Sequence, residues 1–484
     1  MMTTLVWFRN DLRLEDNPAL TAALRTGAII PVYIQARGKN ALFEGGASRW
    51  WRHHSLLALD NNLRARGSHL IIRQGEALTV LQTLIKDTGA TAVFWNRRMA
   101  PAARAQDAAI KATLKASGIE VQSFNGNYLH EPWMILNKQN KPFQVFTPYW
   151  KAVIAAGLDL PTQPAPEHLP AVDAGLASAP IETLGLLPRQ PWAAGFSEWQ
   201  PGEAGAWARF TDFSPKVDAY AEARNWLDGS GVSQLGAHLH FGEITPRQII
   251  QSLRTTHGSV LEPRGVEHFV RELGWREFGA YLAYHFPHTV DAPLDERFNA
   301  FAWRDTQTEA AADLRAWQTG QTGIPVVDAA MRCLWQTGWM HNRARMIVAS
   351  LLTKNLAIDW REGAAWFMDT LIDADEPSNT AGWQWTAGTG ADAAPYFRIF
   401  NPILQAEKFD PKGDFIRRWL PELARLPNPA LFAPWTADAA TLGRAGVLLG
   451  QNYPRPIVDL KISREQALAR FSQIKTFTAS SLLD

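Results

Sequence analysis

A single cysteine, Cys333, in 484 residues excludes an internal disulfide and a cysteine-built metal site; no metal centre is expected. Cys333 lies in an apolar helical pattern, where a thiol acts as a small core residue, and it fits a reducing compartment. No run of about 18 apolar residues occurs, so no membrane-spanning helix is expected. The opening Met1-Met2-Thr3-Thr4 has no basic stretch ahead of an apolar one and reads as no secretory signal, which predicts a cytoplasmic protein. An excess of one charge is also missing. The 48 basic and 47 acidic residues leave a net charge of +1, so any nucleic-acid site must be a local patch. No G-x-G-x-x-G follows the first apolar run, which disfavours a dinucleotide dehydrogenase. Tyrosine is scarce beside tryptophan, 8 against 21, an inverted ratio that fits stacking on rings and electron hopping as well as core filling.

What is present is a globular balance, 46% apolar and 20% charged, in a chain long enough for two domains. Residues 1–130 alternate between strand and helix. Short apolar strands are predicted at 5–8, 28–34, 70–73, 92–96 and 119–124, with helices from 48 to 67, at 77–87 and at 102–117. Asp16-Asn17-Pro18 reads as a helix cap. The alternation predicts an α/β domain built on a doubly wound parallel sheet. Residues 131–202 lose periodicity among scattered prolines and read as an interdomain connection that wraps over the domains. Residues 203–484 read as a large all-α domain, with one helix over 206–228, a loop at 230–236 and a helix over 266–285.

The densest stretch is 337–402. Residues 341–354 contain no Gly or Pro and read as a helix on which Asn342, Arg345 or Met346, and Ala349 share a face. Then come Asp373 and Asp375, Asn379, and the Trp383-Gln384-Trp385 triplet, with Gly382, Gly388 and Gly390 predicting loops. Upstream, Glu272, Trp275 and Arg276 share one face of the 266–285 helix. Each feature has an ordinary reading: tryptophans as core, an aspartate as a cap, arginines as a solvated face. Their concentration in one short stretch is not ordinary.

The stretches GWMHNRARMIVAS, GWQW and DAAPYFRIFNP, with LVWFRNDLRLEDNPAL at the start, resemble the photolyase/cryptochrome family, most closely bacterial cyclobutane-pyrimidine-dimer photolyases. The resemblance spans the chain. It implies light-driven repair of pyrimidine dimers in DNA by electron transfer from excited, reduced FAD. It implies that Glu272 hydrogen-bonds the dimer, that Trp275 and Trp385 flank it, and that Met346 and Asn342 lie against it. Asn379 would face the flavin N5, and Asp373, Asp375, Asn342 and Arg345 would hold FAD. Tyr220 and Arg276 would lie at its diphosphate. Trp383, Trp360 and Trp303 match an electron-hopping chain. Arg224, Arg343 and Arg398 are the implied DNA contacts.

The family's phosphate loop reads Thr-Ser-Arg-Leu-Ser; here Val232, Ser233, Gln234, Leu235 and Gly236 stand in its place, leaving backbone N–H groups to cradle phosphate. A second, light-harvesting chromophore is implied for the N-terminal domain. Folate-binding members carry an Asn-Glu pair where this chain has Ala102 and Ala103, so folate held that way is not expected. A deazaflavin, another flavin or no antenna stays open, and Arg49, Trp50, Trp51 and His54 either line such a site or pack inward. The alternatives are a cryptochrome photoreceptor and a (6-4) photoproduct photolyase. Asn379 and the absence of a long C-terminal extension speak against the first, and His341-Asn342 in place of a histidine pair against the second. The expected form is a monomer with damaged DNA as partner and no membrane association.

Overall fold

The protein was analysed as a computed structural model describing residues 2–38, 41–188 and 191–480. Apolar runs too continuous for a sheet with one wet face form five strands: β1 Met2–Phe8, β2 Gly27–Ala36, β3 Ile71–Gly75, β4 Ala92–Asn96 and β5 Glu120–Phe124. All neighbours are parallel, in the order β3-β2-β1-β4-β5. Both faces are covered by helices, as a parallel sheet requires. On one face Leu56, Leu59 and Leu63 pack with Val6 and Phe8; on the other Leu81, Leu84, Ile110 and Leu114 pack with Leu5 and Val93. Asn17 caps the helix Pro18–Leu24, its side-chain oxygen accepting the Leu20 N–H at 3.2 Å. After β5 every regular element among the described residues is helical. The fold is an α/β sheet domain followed by a large helical part.

Strand order reverses between β1 and β4, the place where sheets of this kind open a ligand crevice. Here the chain's own side chains fill it. Asn96 donates to Asp11 at 2.7 Å and to Asn17 at 2.8 Å, and Arg9 pairs with Asp107 at 3.1 Å. From the helical part, Thr245 and Arg247 reach Asp16 at 2.7 and 3.0 Å. Arg13 donates to Asn127 and to the Gly242 carbonyl, both at 2.8 Å. Buried charges tolerate such a place only when paired, and this network fastens the sheet to the helices.

Among the described residues of 131–202 one α-helix forms, Phe146–Ala156, that the faded periodicity does not reveal. Part of the remainder runs beside the sheet's β3 edge: Leu169 N–H donates to Arg66 O at 2.8 Å and Ala179 N–H to Ile72 O at 3.0 Å. Trp51 is fully buried, donating from its indole to Glu243 at 3.0 Å, and Trp50 packs on Phe196. Both tryptophans pack inward.

Three expectations are corrected. The helix predicted over 206–228 is broken into Glu203–Phe213, a 3-10 turn Ser214–Ala219 and the short Tyr220–Ala223, because Pro215 offers no N–H and its ring crowds the preceding turn. The helix predicted over 341–354 runs from Asn342 to Ser350 and widens into a π-helical turn, Leu351–Asn355. Gly382 opens no loop: it lies inside the helix Glu376–Ala387, which Asp375 caps by accepting the Ser378 N–H at 3.0 Å, and which ends at Gly388 with φ 84. A strong cap and Pro377 in the first turn outweigh the roughly 1 kcal/mol that an interior glycine costs.

Candidate functional site

Five helices, the 230–236 loop and the segments between helices position the residues singled out above. Asp373 follows the helix Trp360–Thr370, and both of its oxygens accept from Arg345, at 2.8 and 3.1 Å. Arg345 is oriented by a second bond, from Nε to the Met340 carbonyl at 2.8 Å. The loop closes on the same carboxylate: a Cβ on Gly236 would lie 2.5 Å from Asp373 Oδ2. Gln234, with φ 53, gives its side-chain oxygen to Arg209 at 2.5 Å. Leu235 is buried, and its N–H donates to Ser233 Oγ at 3.4 Å. Val232 donates its N–H to the Gly229 carbonyl at 3.4 Å.

Asp375 uses one oxygen for the helix cap and the other for His240, whose Nδ1 is 3.3 Å away. Burial opposes its charge, but His240, then Arg276 and the Ser378 bond, hold the carboxylate well below its usual range. Arg276 donates to the carbonyls of Asn127 and Leu239 at 2.9 and 3.2 Å and lies 4.7 Å above the Tyr128 ring. Asn379 donates its amide to the Ala364 carbonyl at 3.0 Å, which orients its side-chain oxygen as the free acceptor.

One wall belongs to the helix Arg264–His285. Trp275 stacks on Phe146 with centroids 3.8 Å apart and planes at 7°, so one indole face is covered. A turn earlier on that helix, Glu272 pairs with Arg224 at 2.5 Å. Gly274 lets the Phe146–Ala156 helix come close, since a Cβ there would meet Trp150 at 2.6 Å. Tyr220 is buried edge-on against Phe213 and Phe269. On the helix Asn342–Ser350, Asn342 is exposed, while Arg343 donates to Asn225 at 2.5 Å and lies 4.4 Å over the Phe409 ring. Arg343 also places a nitrogen 4.0 Å from the Met346 sulfur. His341 caps this helix, its Nδ1 accepting the Arg343 N–H at 3.0 Å. Burial, with Arg343 and Arg345 nearby, pushes its imidazole down to about 4, leaving it neutral at pH 7.

Trp383 and Trp360 are each 2% exposed and share a core cluster against which the partly buried Trp303 packs. Trp383 fits a gap left by Gly363, where a Cβ would lie 2.0 Å from the indole. Its Nε1 is buried without a partner. Trp385 is partly buried, and its carbonyl accepts the Ala394 N–H at 3.1 Å. Arg398 is exposed on the loop beyond.

Three residues of this region escape a reading of the sequence. Phe146 lies in the aperiodic connection and leaves no signal. His240 completes a path from Asp375 through Asn10, 3.4 Å from its Nε2, to Arg52, which donates to Asn10 at 3.0 Å. Glu277, next to Arg276, accepts the Leu129 N–H at 2.8 Å, and burial pushes its carboxyl up to about 7 against the pull of Arg276. A charged residue on the apolar side of a helical pattern was the available signal for Glu277.

Comparison with known proteins follows the same division of the chain. Residues 269–473 match the family described as the FAD binding domain of DNA photolyase, and residues 4–170 match the family described as DNA photolyase. A deoxyribodipyrimidine photo-lyase from Agrobacterium fabrum is 45% identical over 98% of this chain and 98% of its own length. Cryptochrome-2 from Arabidopsis thaliana is 40% identical over 96% of this chain and 77% of its own length. The crystal structure of a bacterial class III photolyase from Agrobacterium tumefaciens superposes with a TM-score of 0.93 at 44% identity, covering 98% of both chains.

Proposed function

The chain belongs to the DNA photolyase family, and from that premise we propose that it repairs cyclobutane pyrimidine dimers in DNA with light, through FAD held in the helical part. What carries the reading to these residues is the wall beside the FAD region. Phe146 covers one face of the partly buried Trp275, and Glu272 is held in place one turn away by Arg224. That is an aromatic platform beside a hydrogen-bonding carboxylate, suited to a flipped-out pair of bases.

The donor set fits FAD. Carboxylates at Asp373 and Asp375 accept from ribose hydroxyls or ring N–H groups, Arg276 and the backbone N–H groups of Ser233, Gln234 and Gly236 offer positive ends to a diphosphate, and Gly236 keeps the loop close. FAD held there in its reduced form would supply the light-excited electron for reversal of the dimer. The chain's own residues bind, orient and insulate. Arg345 holds Asp373 in register. Asn379 presents an uncharged oxygen to the ring edge. Trp275 and Trp385 hold the dimer, Asn342 and Met346 border it, and Glu272 hydrogen-bonds it when it carries the extra electron. Tyr220 walls the diphosphate end.

Arg224, Arg343 and Arg398 form the phosphate contacts in this reading, in a protein acting as a cytoplasmic monomer. No helix among the described residues is long and apolar enough to cross a membrane. The test is binding to a dimer-containing duplex over a range of salt. A patch of few arginines on a chain of net charge +1 predicts a modest slope, roughly three to five phosphates' worth. Arg343→Ala and Arg398→Ala should each remove about one contact from that slope. Unchanged slopes in both variants place the DNA elsewhere.

A further inference from the structure

One exposed aromatic on this wall has no part in the account so far. Trp226 is 42% exposed, on a turn fixed from both sides: its N–H donates to Ala223 O at 3.2 Å and its carbonyl accepts the Gly229 N–H at 3.3 Å. The turn is also tied to the opposite rim, where Leu227 N–H donates to Phe409 O at 3.1 Å. Cations lie along this turn and the segment it is tied to. Arg343 lies 4.4 Å and Lys408 5.3 Å over the Phe409 ring, Arg343 donates to the adjacent Asn225, and Arg224 precedes that residue. Arg224 and Arg343 are close enough that the one helps burial to depress the ionisation of the other. Of the two arginines Arg224 engages Glu272, while Asp228 of the same turn accepts from Ser230 at 2.9 Å. Like charges held together beside an exposed indole fit a polyanion that also carries flat apolar rings.

We infer that Trp226 is a base-stacking residue that seats a DNA base left unpaired next to, or opposite, the flipped dimer. The inference rests on the reading of this wall as the DNA face and adds to it a residue that touches bases rather than phosphate. Removing a base from the stack leaves its neighbours and its former partners exposed, and an immobilised indole offers them a replacement surface at little entropic cost. The competing role for Trp226 is a packing lid over the Phe409 region.

The experiment measures binding of a duplex carrying one thymine dimer, and of the same duplex with single abasic positions introduced in turn beside and opposite the dimer. Trp226→Ala should weaken binding to the intact-base duplex on the order of tenfold, with FAD content and melting temperature retained. Trp226→Leu keeps apolar bulk over Phe409 but has no ring face, so it should lose as much as the alanine variant, whereas Trp226→Phe should keep most of the affinity. At one abasic position the penalty of Trp226→Ala should vanish, because the base it would stack on is gone. An equal penalty at every position, or full binding by Trp226→Leu, assigns Trp226 to packing and overturns the inference while leaving the DNA face in place. If the unsubstituted protein shows no preference for the dimer, the DNA face and the inference fall together.

Discussion

Trp303→Phe is expected to stop the accumulation of reduced flavin under blue light while leaving repair by chemically prereduced protein nearly intact. Trp383 and Trp360 are sealed in the core, and of the three matched tryptophans Trp303 is the one that is only partly buried, packed 4.4 Å from the Phe301 ring. An electron drawn from Trp383 is lost to recombination unless the vacancy moves outward, and only an oxidisable side chain near solvent can hold it long enough to be refilled. Phenylalanine keeps the ring and most of the packing but is far harder to oxidise. The substitution removes little buried surface, so a stability loss of only about 1 kcal/mol is expected. Repair starts from flavin already reduced and draws no electron through Trp303. Transient absorption checks the first part and dimer loss the second. Normal photoreduction in Trp303→Phe takes this residue out of the path, and a parallel fall in both activities with stability makes it a packing residue.

The second large effect separates substrate reading from cofactor chemistry. Trp275→Ala should weaken binding to dimer-containing DNA by about 1–3 kcal/mol, the worth of one base–aromatic stack. Binding to undamaged DNA should hardly move, since that rests on phosphates. Because Trp275 also covers Phe146, Trp275→Phe serves as a control that keeps the stack at 3.8 Å and should retain most of the selectivity. Glu272→Ala acts differently. It leaves Arg224 without its carboxylate, beside Arg343, so affinity for undamaged DNA should rise as damage selectivity falls. Its yield of repaired dimers per absorbed photon should fall more than its affinity. Loss of FAD from Trp275→Ala, or equal weakening on damaged and undamaged DNA, would make Trp275 structural.

Much of this was legible in the residues, for identifiable reasons. A parallel sheet buries both faces, so its strands appear as plain apolar runs; β4 is read at 92–96 and observed at Ala92–Asn96. Asp375 reads as a possible cap and is one, and the same residue meets His240 with its other oxygen. What escaped depends on contacts far apart in the chain. Gly382 looks like a loop because helix propensity is local, whereas the helix around it is set by its cap and by packing of Trp383 against Gly363. Phe146 becomes part of the wall only because Gly274 admits its helix. Pro215 was visible in the sequence, and its effect on a long apolar pattern is a matter of ring geometry that the pattern does not carry.

The central claim is tested most directly by giving chemically reduced, FAD-loaded protein an oligonucleotide with one thymine dimer, with and without near-UV or blue light, and counting restored thymine pairs. The account predicts no repair in the dark and, in the light, more dimers reversed than protein molecules present. Bound DNA whose dimer persists through illumination of fully reduced protein would contradict it.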